Sequence, residues 1–158
     1  MQHIQIKNHR AIEKMRVAGL KLAHIFSEIT ESVVEGASTL QIDAIFEKKM
    51  RLAGLRPVCK GYSGYKHATC ISVNDGVVHG VPVKDLVLKF GDFVKIDAVG
   101  SFEGYCADMA RGFIVGGQNA RAERLMMVAQ QALDAAIVLV RPGIRLSDIS
   151  VCIQKIVE

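Results

Sequence analysis

Two aspartates and a histidine are the residues whose types and spacing best suit chemistry. Asp97 and Asp108 lie eleven positions apart, and His79 precedes both. Asp97 ends one apolar run and Asp108 begins another, with the sequence Ser-Phe-Glu-Gly at 101–104 between them. Gly104 tolerates the positive φ that tight hairpin turns require. A roughly symmetric hairpin would therefore place the two carboxylates on facing strands and on the same side of a sheet.

Two carboxylates in that position repel each other unless they share a proton or a cation. We favour a cation, because oxygen ligands on a rigid sheet suit a divalent metal. The alternative is one buried acid paired with a base and one solvated acid in a turn, and the spacing alone does not separate the two interpretations. His79 has a similar alternative, as an ordinary half-buried histidine in the sequence Val-Val-His-Gly.

The elements that must position these residues change in character along the chain. Apolar residues at helical spacing predict helices over about 8–34, 39–52, 120–140 and 146–157. Between the two helix pairs, β-branched runs and glycines predict a mostly antiparallel sheet with strands at about 68–73, 77–79, 87–89, 93–99 and 105–115. Asn8 is a candidate N-cap, and Asn-Asp-Gly at 74–76 is a hairpin signal.

The bulk composition describes one globular domain. The chain has 158 residues, of which 50% are hydrophobic, so a substantial core is available. The formal charge of +4 is mild, and no block of basic residues appears. We therefore predict no specific nucleic-acid partner.

The cysteines and the N-terminus bear on the compartment. Cys59, Cys70, Cys106 and Cys152 form no Cys-x-x-Cys pair, which argues against a zinc knuckle or a thioredoxin-like motif. No apolar signal core begins the chain, and no apolar run is long enough for a membrane span. We expect a cytoplasmic protein with reduced thiols and no membrane partner. Cys106 and Cys152 lie in apolar patterns and are predicted to be core residues.

The second helix pair repeats the first at a constant offset. Three pairs of residues lie 107 positions apart: Gly36 and Gly143, Ile42 and Ile149, Lys48 and Lys155. The repeat predicts a two-unit fold whose first unit covers about 9–115 and whose second begins at about 120. The alternative is chance similarity between two amphipathic helix pairs.

Six strings in order along the chain resemble the type I methionine aminopeptidases. They are IEKMRVAG at 12–19, GYSGY at 61–65, CISVN at 70–74, VHGVP at 78–82, GDFVKID at 91–97 and AD at 107–108. The resemblance covers almost all of this chain and about the first three-fifths of a typical family member. It implies an α+β pita-bread fold, with helices on one side of an antiparallel sheet in each of two pseudo-symmetric halves. Residues 1–158 would form one catalytic domain, truncated at its C-terminus, that holds the first half and the helices of the second.

The resemblance also implies a dinuclear metal site between the halves. The family's aspartate at the position of Asp97 chelates one metal ion, and the one at Asp108 bridges both. A second histidine and two glutamates, later in the family's chain, complete the ligands. The two ions would be cobalt, manganese, iron or zinc, among which such ligands do not choose. His79 would not be a ligand but would contact the scissile amide and stabilise the tetrahedral intermediate.

A pocket for the methionine side chain is implied as well. The matching positions are Cys59, Tyr62, Tyr65 and Cys70, and thiols with aromatic rings suit a flexible thioether. The alternative for these four is plain packing or a glycine-rich loop. His67, nearby, is interpreted as a loop residue rather than a metal ligand.

Three residues depart from the family pattern. Val99 and Met109 stand where the family usually has a hydroxyl side chain, and Lys66 replaces a common proline. Lost hydrogen bonds around metal ligands typically weaken metal affinity or activity about 10–100-fold.

The implied activity is metal-dependent removal of N-terminal methionine from nascent proteins and peptides, with the ribosome as a further partner. Two carboxylates alone do not hold a dinuclear centre, so we expect this chain alone to be inactive or incomplete. A homodimer formed by swapping would be one way to complete it. The alternative function is a catalytically dead pita-bread module that binds peptides or the ribosome.

Overall fold

The computed structural model describes residues 4–158, which divide into two compact units. The first unit ends at Gly117, and the second runs from Gln118 to Glu158. The first contains helices α1 (His9–Glu28) and α2 (Thr39–Leu52) and strands β1 (Arg56–Pro57), β2 (Thr69–Val73), β3 (Phe93–Phe102) and β4 (Tyr105–Ile114). The second contains helices α3 (Ala120–Leu139) and α4 (Leu146–Val157), which pack against each other. The proposed repeat between the helix pairs stays a prediction.

Strand β3 is the centre of the antiparallel sheet. It pairs with β4 along its whole length, from Phe93 opposite Ile114 to Phe102 opposite Tyr105. Its other edge is shared by β2, which pairs with residues 94–98, and by the short β1, which pairs with residues 100–101. All the strand pairings of this sheet therefore involve β3.

Helices α1 and α2 cover one face of this sheet. Val94, Ile96 and Ala98 are fully buried on β3 and belong to the same core cluster as Phe26 of α1 and Phe46 of α2. The two phenyl rings meet edge to face, with their centroids 5.0 Å apart. Because side chains alternate along a strand, the intervening residues of β3 belong to the opposite face.

Side-chain caps fix where the two helices begin. Asn8 accepts a hydrogen bond from the backbone N–H of Ala11 at 2.9 Å, as predicted for an N-cap. Ser38 accepts from the N–H of Gln41, whose side chain accepts in return from the N–H of Ser38 at 2.9 Å. This capping box sets the start of α2. No helix within residues 4–158 has the length and apolar character needed to cross a membrane.

The helix predictions are confirmed to within a few residues, except that α1 ends at Glu28 and continues only as a 3₁₀ turn over Ile29–Ser32. The strands predicted at 77–79 and 87–89 are wrong, and so is the hairpin at 74–76. Residues 86–88 instead pair with the connection between α1 and α2, through Leu88 to Ala37 and a single bridge from Val87 to Ser38. This pairing is short and links segments that are far apart in the sequence, so an apolar triplet in the sequence does not reveal it.

Candidate active site

The register of the β3–β4 hairpin brings the two aspartates together. Asp97 lies opposite Ala110, and Asp108 lies opposite Val99, so the two acids are diagonal neighbours on one face of the sheet. The turn between the strands is Glu103-Gly104, with φ of 47° and 85°. These angles belong to the tight hairpin turns that hold the strand register. The same-side placement predicted from the sequence is confirmed.

The electrostatics of this pair are unfavourable without a shared proton or cation. Burial and the neighbouring Asp108 both raise the pKa of Asp97 above its ordinary value, and a hydrogen bond between the two carboxyl groups acts in the same direction. His79 lies close enough to lower that pKa in part. The two carboxyls thus form a hard oxygen donor set that a divalent cation fits. Among residues 4–158, however, no group of three or more His, Cys, Asp and Glu side chains is arranged to hold a metal ion.

The loop that carries His79 is held against strand β2. The carbonyl of Gly80 accepts a hydrogen bond from the N–H of Ile71 at 2.8 Å, and the N–H of Gly80 donates to the hydroxyl of Ser72 at 3.0 Å. A Cβ at Gly80 would lie only 2.2 Å from the carbonyl oxygen of Ile71. His79 itself has φ of 58°, an uncommon conformation for a residue with a side chain. These contacts explain why 77–79 is not a ladder strand.

Two of the predicted pocket cysteines lie beside the aspartates. Cys70 of β2 is directly opposite Asp97 of β3 in the sheet. Burial raises the pKa of the Cys59 thiol, whereas a hydrogen bond with the backbone of Val99 lowers it. The charges of Cys70, Asp97 and Asp108 raise the same pKa further. The thiols and the carboxylates therefore share one neighbourhood.

The two predicted pocket tyrosines differ in their surroundings. Tyr65 is partly buried, and its hydroxyl donates to the carbonyl of Thr69 at 2.8 Å. Burial and a hydrogen bond with Cys70 raise the pKa of Tyr65. Tyr62 lies in a 3₁₀ turn, and 76% of its surface is exposed. The structure thus joins Tyr65 to Cys70 and leaves Tyr62 open to solvent.

Two expectations about the cysteines need correction. Cys106 is exposed and is not a core residue. It lies two positions before Asp108, on the open face of the sheet, which carries both aspartates and faces away from α1 and α2. Cys152 is only half-buried. Alternation along the strand, rather than the apolar character of the neighbours, decides the exposure of Cys106.

A buried acid of α2 escaped the sequence reasoning. Asp43 is 4% exposed and accepts hydrogen bonds from the N–H of Ala68, the N–H of Thr69 and the hydroxyl of Thr69. Nδ1 of His67 contacts the other oxygen of Asp43 at 3.1 Å, so this histidine is a half-buried loop residue that pairs with an acid of α2. The available signal was an aspartate inside the apolar stripe of α2, between Ile42 and Phe46.

The Asp97–Asp108 pair predicts a pH-dependent cost to stability in the metal-free protein. The folded-state pKa of Asp97 is raised above 3.8, so the folded state holds this proton to higher pH than the unfolded state. The contribution of Asp97 to stability is therefore fully present below about pH 4 and is lost as the pH rises through the raised pKa. Asp108→Asn removes the like charge. Because Asp97 is only half-buried and solvent screens the repulsion, we expect the metal-free variant to melt about 1–2 °C above wild type at neutral pH, the change that roughly 0.5 kcal/mol produces in a domain of this size.

Thermal melts across the acidic range would test this, with Asp85→Asn as a matched change of an exposed loop acid. The difference between Asp108→Asn and wild type should vanish at low pH. A lower melting temperature for Asp108→Asn at neutral pH would show that the two charges do not oppose folding.

The clash at Gly80 predicts that an alanine there displaces the His79 loop. The added methyl group meets the backbone of Ile71, which has no flexible end to move, so we expect a loss of about 1–3 kcal/mol. The amide of Ile71 should also lose protection from hydrogen exchange, since it donates to Gly80. Gly19→Ala is the control, because nothing lies within 4 Å of a Cβ there. Unchanged exchange at Ile71 in Gly80→Ala would contradict the described loop contact.

Comparisons with known proteins identify the family of this chain. The model of metallopeptidase family M24 matches residues 13–158. The methionine aminopeptidase of Escherichia coli is 40% identical over 156 residues, which cover 98% of this chain and 59% of that protein. The enzyme of the same name from Aquifex aeolicus is 35% identical and is covered to 62%. The chain thus spans about three-fifths of the length of the curated relatives it matches.

Solved structures give the same result for the fold. The methionine aminopeptidase of Thermotoga maritima superposes with a TM-score of 0.93 at 39% identity, over 98% of this chain and 62% of that one. The prolidase of Pyrococcus furiosus, at 22% identity and a TM-score of 0.83 over 96% of this chain and 43% of that one, shares the fold alone. The α+β pita-bread fold, with helices on one side of an antiparallel sheet, is confirmed. With its paired aspartates on that sheet and a family match over nearly its whole length, this chain belongs to metallopeptidase family M24.

Proposed function

We propose that this protein removes the N-terminal methionine from peptides and nascent chains, with divalent metal ions held in part by Asp97 and Asp108. The observation that carries the proposal is the diagonal placement of these two carboxylates on one sheet face. The 40% identity to the E. coli methionine aminopeptidase supports the same reaction. The cytoplasm, where nascent chains emerge from the ribosome, is the compartment this function requires.

Asp97 and Asp108 would each contribute a carboxylate to a site for two divalent metal ions. When bound, the ions supply a water of lowered pKa and polarise the scissile carbonyl. Cobalt, manganese, iron and zinc all suit carboxylate and imidazole ligands. Because two carboxylates leave most coordination positions open, a second copy of the chain would supply the remaining ligands.

His79 would act on the substrate rather than on the metal. Its left-handed backbone and the clamp between Gly80 and β2 hold the imidazole in the neighbourhood of Asp97. A positioned donor at that point stabilises the negative charge that develops on the scissile group. The positive φ of His79 costs conformational free energy, and residues held in such conformations cluster at functional sites. This supports a functional role for His79.

The pocket for the methionine side chain would be formed by Cys59, Tyr62, Tyr65 and Cys70. The two thiols are partly buried next to the carboxylates of Asp97 and Asp108, and Tyr65 is partly buried beside Cys70. Sulfur and aromatic surfaces make favourable contacts with a thioether. Tyr62, with its ring exposed, would pack against the bound side chain.

Of the departures from the family pattern, Val99 bears most directly on the metal ligands. Val99 lies opposite Asp108 on the face that carries both acids, so a hydroxyl missing there is missing beside the carboxylates. Met109 lies on the other face and packs against the hydrophobic core, away from the ligands. Lys66 is exposed in the pocket loop. We therefore expect weaker metal binding than in relatives with threonine at the position of Val99.

The reaction predicts a specific pattern of methionine release. With Mn²⁺ added, monomeric chains of these 158 residues should release methionine from Met-Ala-Ser no faster than their Asp108→Asn variant, because most ligands are missing. Release that depends on Asp108 should appear as the chain concentration is raised and the chains associate. Amino-acid analysis with light scattering on the same samples measures both quantities.

N-acetyl-Met-Ala-Ser, which lacks a free amino group, is the matched substrate control and should remain intact. Release by a strictly monomeric chain would contradict the requirement for ligands from outside. Association without any release that depends on Asp108 would argue against the proposed function.

A further inference from the structure

The buried carboxylate of Asp43 lies beneath the loop that carries the proposed pocket. Its side chain projects from α2 and is 4% exposed. One oxygen accepts three hydrogen bonds, from the N–H of Ala68 at 3.0 Å and from the N–H and hydroxyl of Thr69 at 2.9 and 2.8 Å. The other oxygen contacts Nδ1 of His67 at 3.1 Å. One acid thus holds three consecutive residues.

Those three residues separate two members of the pocket. Tyr65 comes two positions before His67, and Cys70 follows Thr69 directly. The hydroxyl of Tyr65 donates to the carbonyl of Thr69 at 2.8 Å, and its ring meets the His67 ring edge to face at 5.5 Å. The position of Tyr65 therefore depends on the residues that Asp43 holds.

The beginning of the pocket loop is fixed by its own backbone. The N–H of Gly61 donates to the carbonyl of Tyr65 at 2.7 Å, and the N–H of Tyr62 donates to the carbonyl of Cys59 at 3.1 Å. These backbone bonds close residues 59–65 as a turn, and an ion pair at 2.7 Å joins Lys60 to Glu47 of α2. The buried attachment to α2, at the end of the loop that precedes Cys70, runs through Asp43.

A carboxylate is well suited to this task. Hydrogen bonds to a charged acceptor are roughly twice as strong as those between neutral groups. A single oxygen that accepts three donors also fixes Ala68 and Thr69 in direction, and both are fully buried. The network is fully satisfied, which makes it rigid, and removing one member leaves buried donors without a partner.

We propose that Asp43 is the positioning residue of the methionine pocket: by holding residues 67–69 it sets the separation of Tyr65 and Cys70, and so the side chain that the pocket accepts. The inference rests on the proposed function for the identity of the pocket. It does not rest on it for the role of Asp43 in fixing the loop.

Thiol labelling of the metal-free protein tests the positioning role without any turnover. Iodoacetamide is added, and mass spectrometry follows the alkylation of each cysteine peptide. Asp43→Asn keeps the volume and one acceptor oxygen but removes the charge. Cys59 and Cys70 should react about tenfold faster in this variant, the change expected when charge-assisted hydrogen bonds weaken. Cys106, exposed on β4, is the internal control and should react at the wild-type rate.

A conservative pair separates positioning from general loss of stability. Thr69→Val removes the hydroxyl that donates to Asp43, whereas Thr69→Ser retains it. Thr69→Val should accelerate Cys59 and Cys70 selectively, and Thr69→Ser should restore slow labelling. The same acceleration of Cys152, which is half-buried in α4, or loss of the wild-type circular dichroism spectrum would mean that the variants merely unfold and would overturn the inference.

Protection by L-methionine amide tests whether the loop that Asp43 holds forms the methionine pocket. This compound should slow the labelling of Cys59 and Cys70 in the wild-type protein, and Asp43→Asn should need about tenfold more of it for half-protection. If Asp43→Asn is labelled at the same rate as the wild type and is half-protected at the same concentration of L-methionine amide, the proposed role of Asp43 is overturned. Absence of protection in the wild-type protein, with the labelling difference intact, would instead overturn the pocket assignment under the proposed function.

Discussion

The pairing register of β3 with β4 is the constraint on which the rest of this structure depends. The two-residue turn at Glu103-Gly104 fixes that register, and the register puts Asp97 and Asp108 on one face. A slip of one residue would move an acid to the face that holds Val94 in the apolar cluster, where burying its charge is costly. Two like charges side by side are tolerated because that face is open and the pair is suited to a cation.

The sheet thus separates stability from chemistry by its two faces. On one face, Ile96 and its neighbours bury against α1 and α2 and supply the apolar area that stabilises the first unit. On the other, Cys70 and Val99 flank the acids. Substitutions act accordingly: Met109 belongs to the buried face and affects packing, whereas Val99 belongs to the open face and affects the ligands. Two sets of hydrogen bonds hold the loops in place: Gly80 bonds to strand β2, and Asp43 of α2 bonds to residues 67–69.

The sequence predicted the acid pair well because its signals are local. A turn with glycine and alternation with a period of two suffice to bring Asp97 and Asp108 to one face. The hydrogen bonds that hold the loops were not predictable in the same way. The strand predicted at 77–79 fails because Gly80 is pressed against Ile71, nine positions back in the chain. Asp43 reads as an ordinary polar residue of a helix until the fold brings Thr69, 26 positions later, onto its carboxylate. Such long-range contacts leave only weak traces in a single sequence.

The most direct test of the central claim is a titration of the purified chain with Mn²⁺, followed by the electron paramagnetic resonance signal of the free ion at neutral pH. Wild-type protein, Asp97→Asn and, as a control, Asp85→Asn would be compared. If the two acids on the open face form a cation site, the wild type and Asp85→Asn should remove free Mn²⁺ from solution, and Asp97→Asn should not. Equal binding by all three proteins would contradict the account, because the cation would then be held elsewhere in the chain.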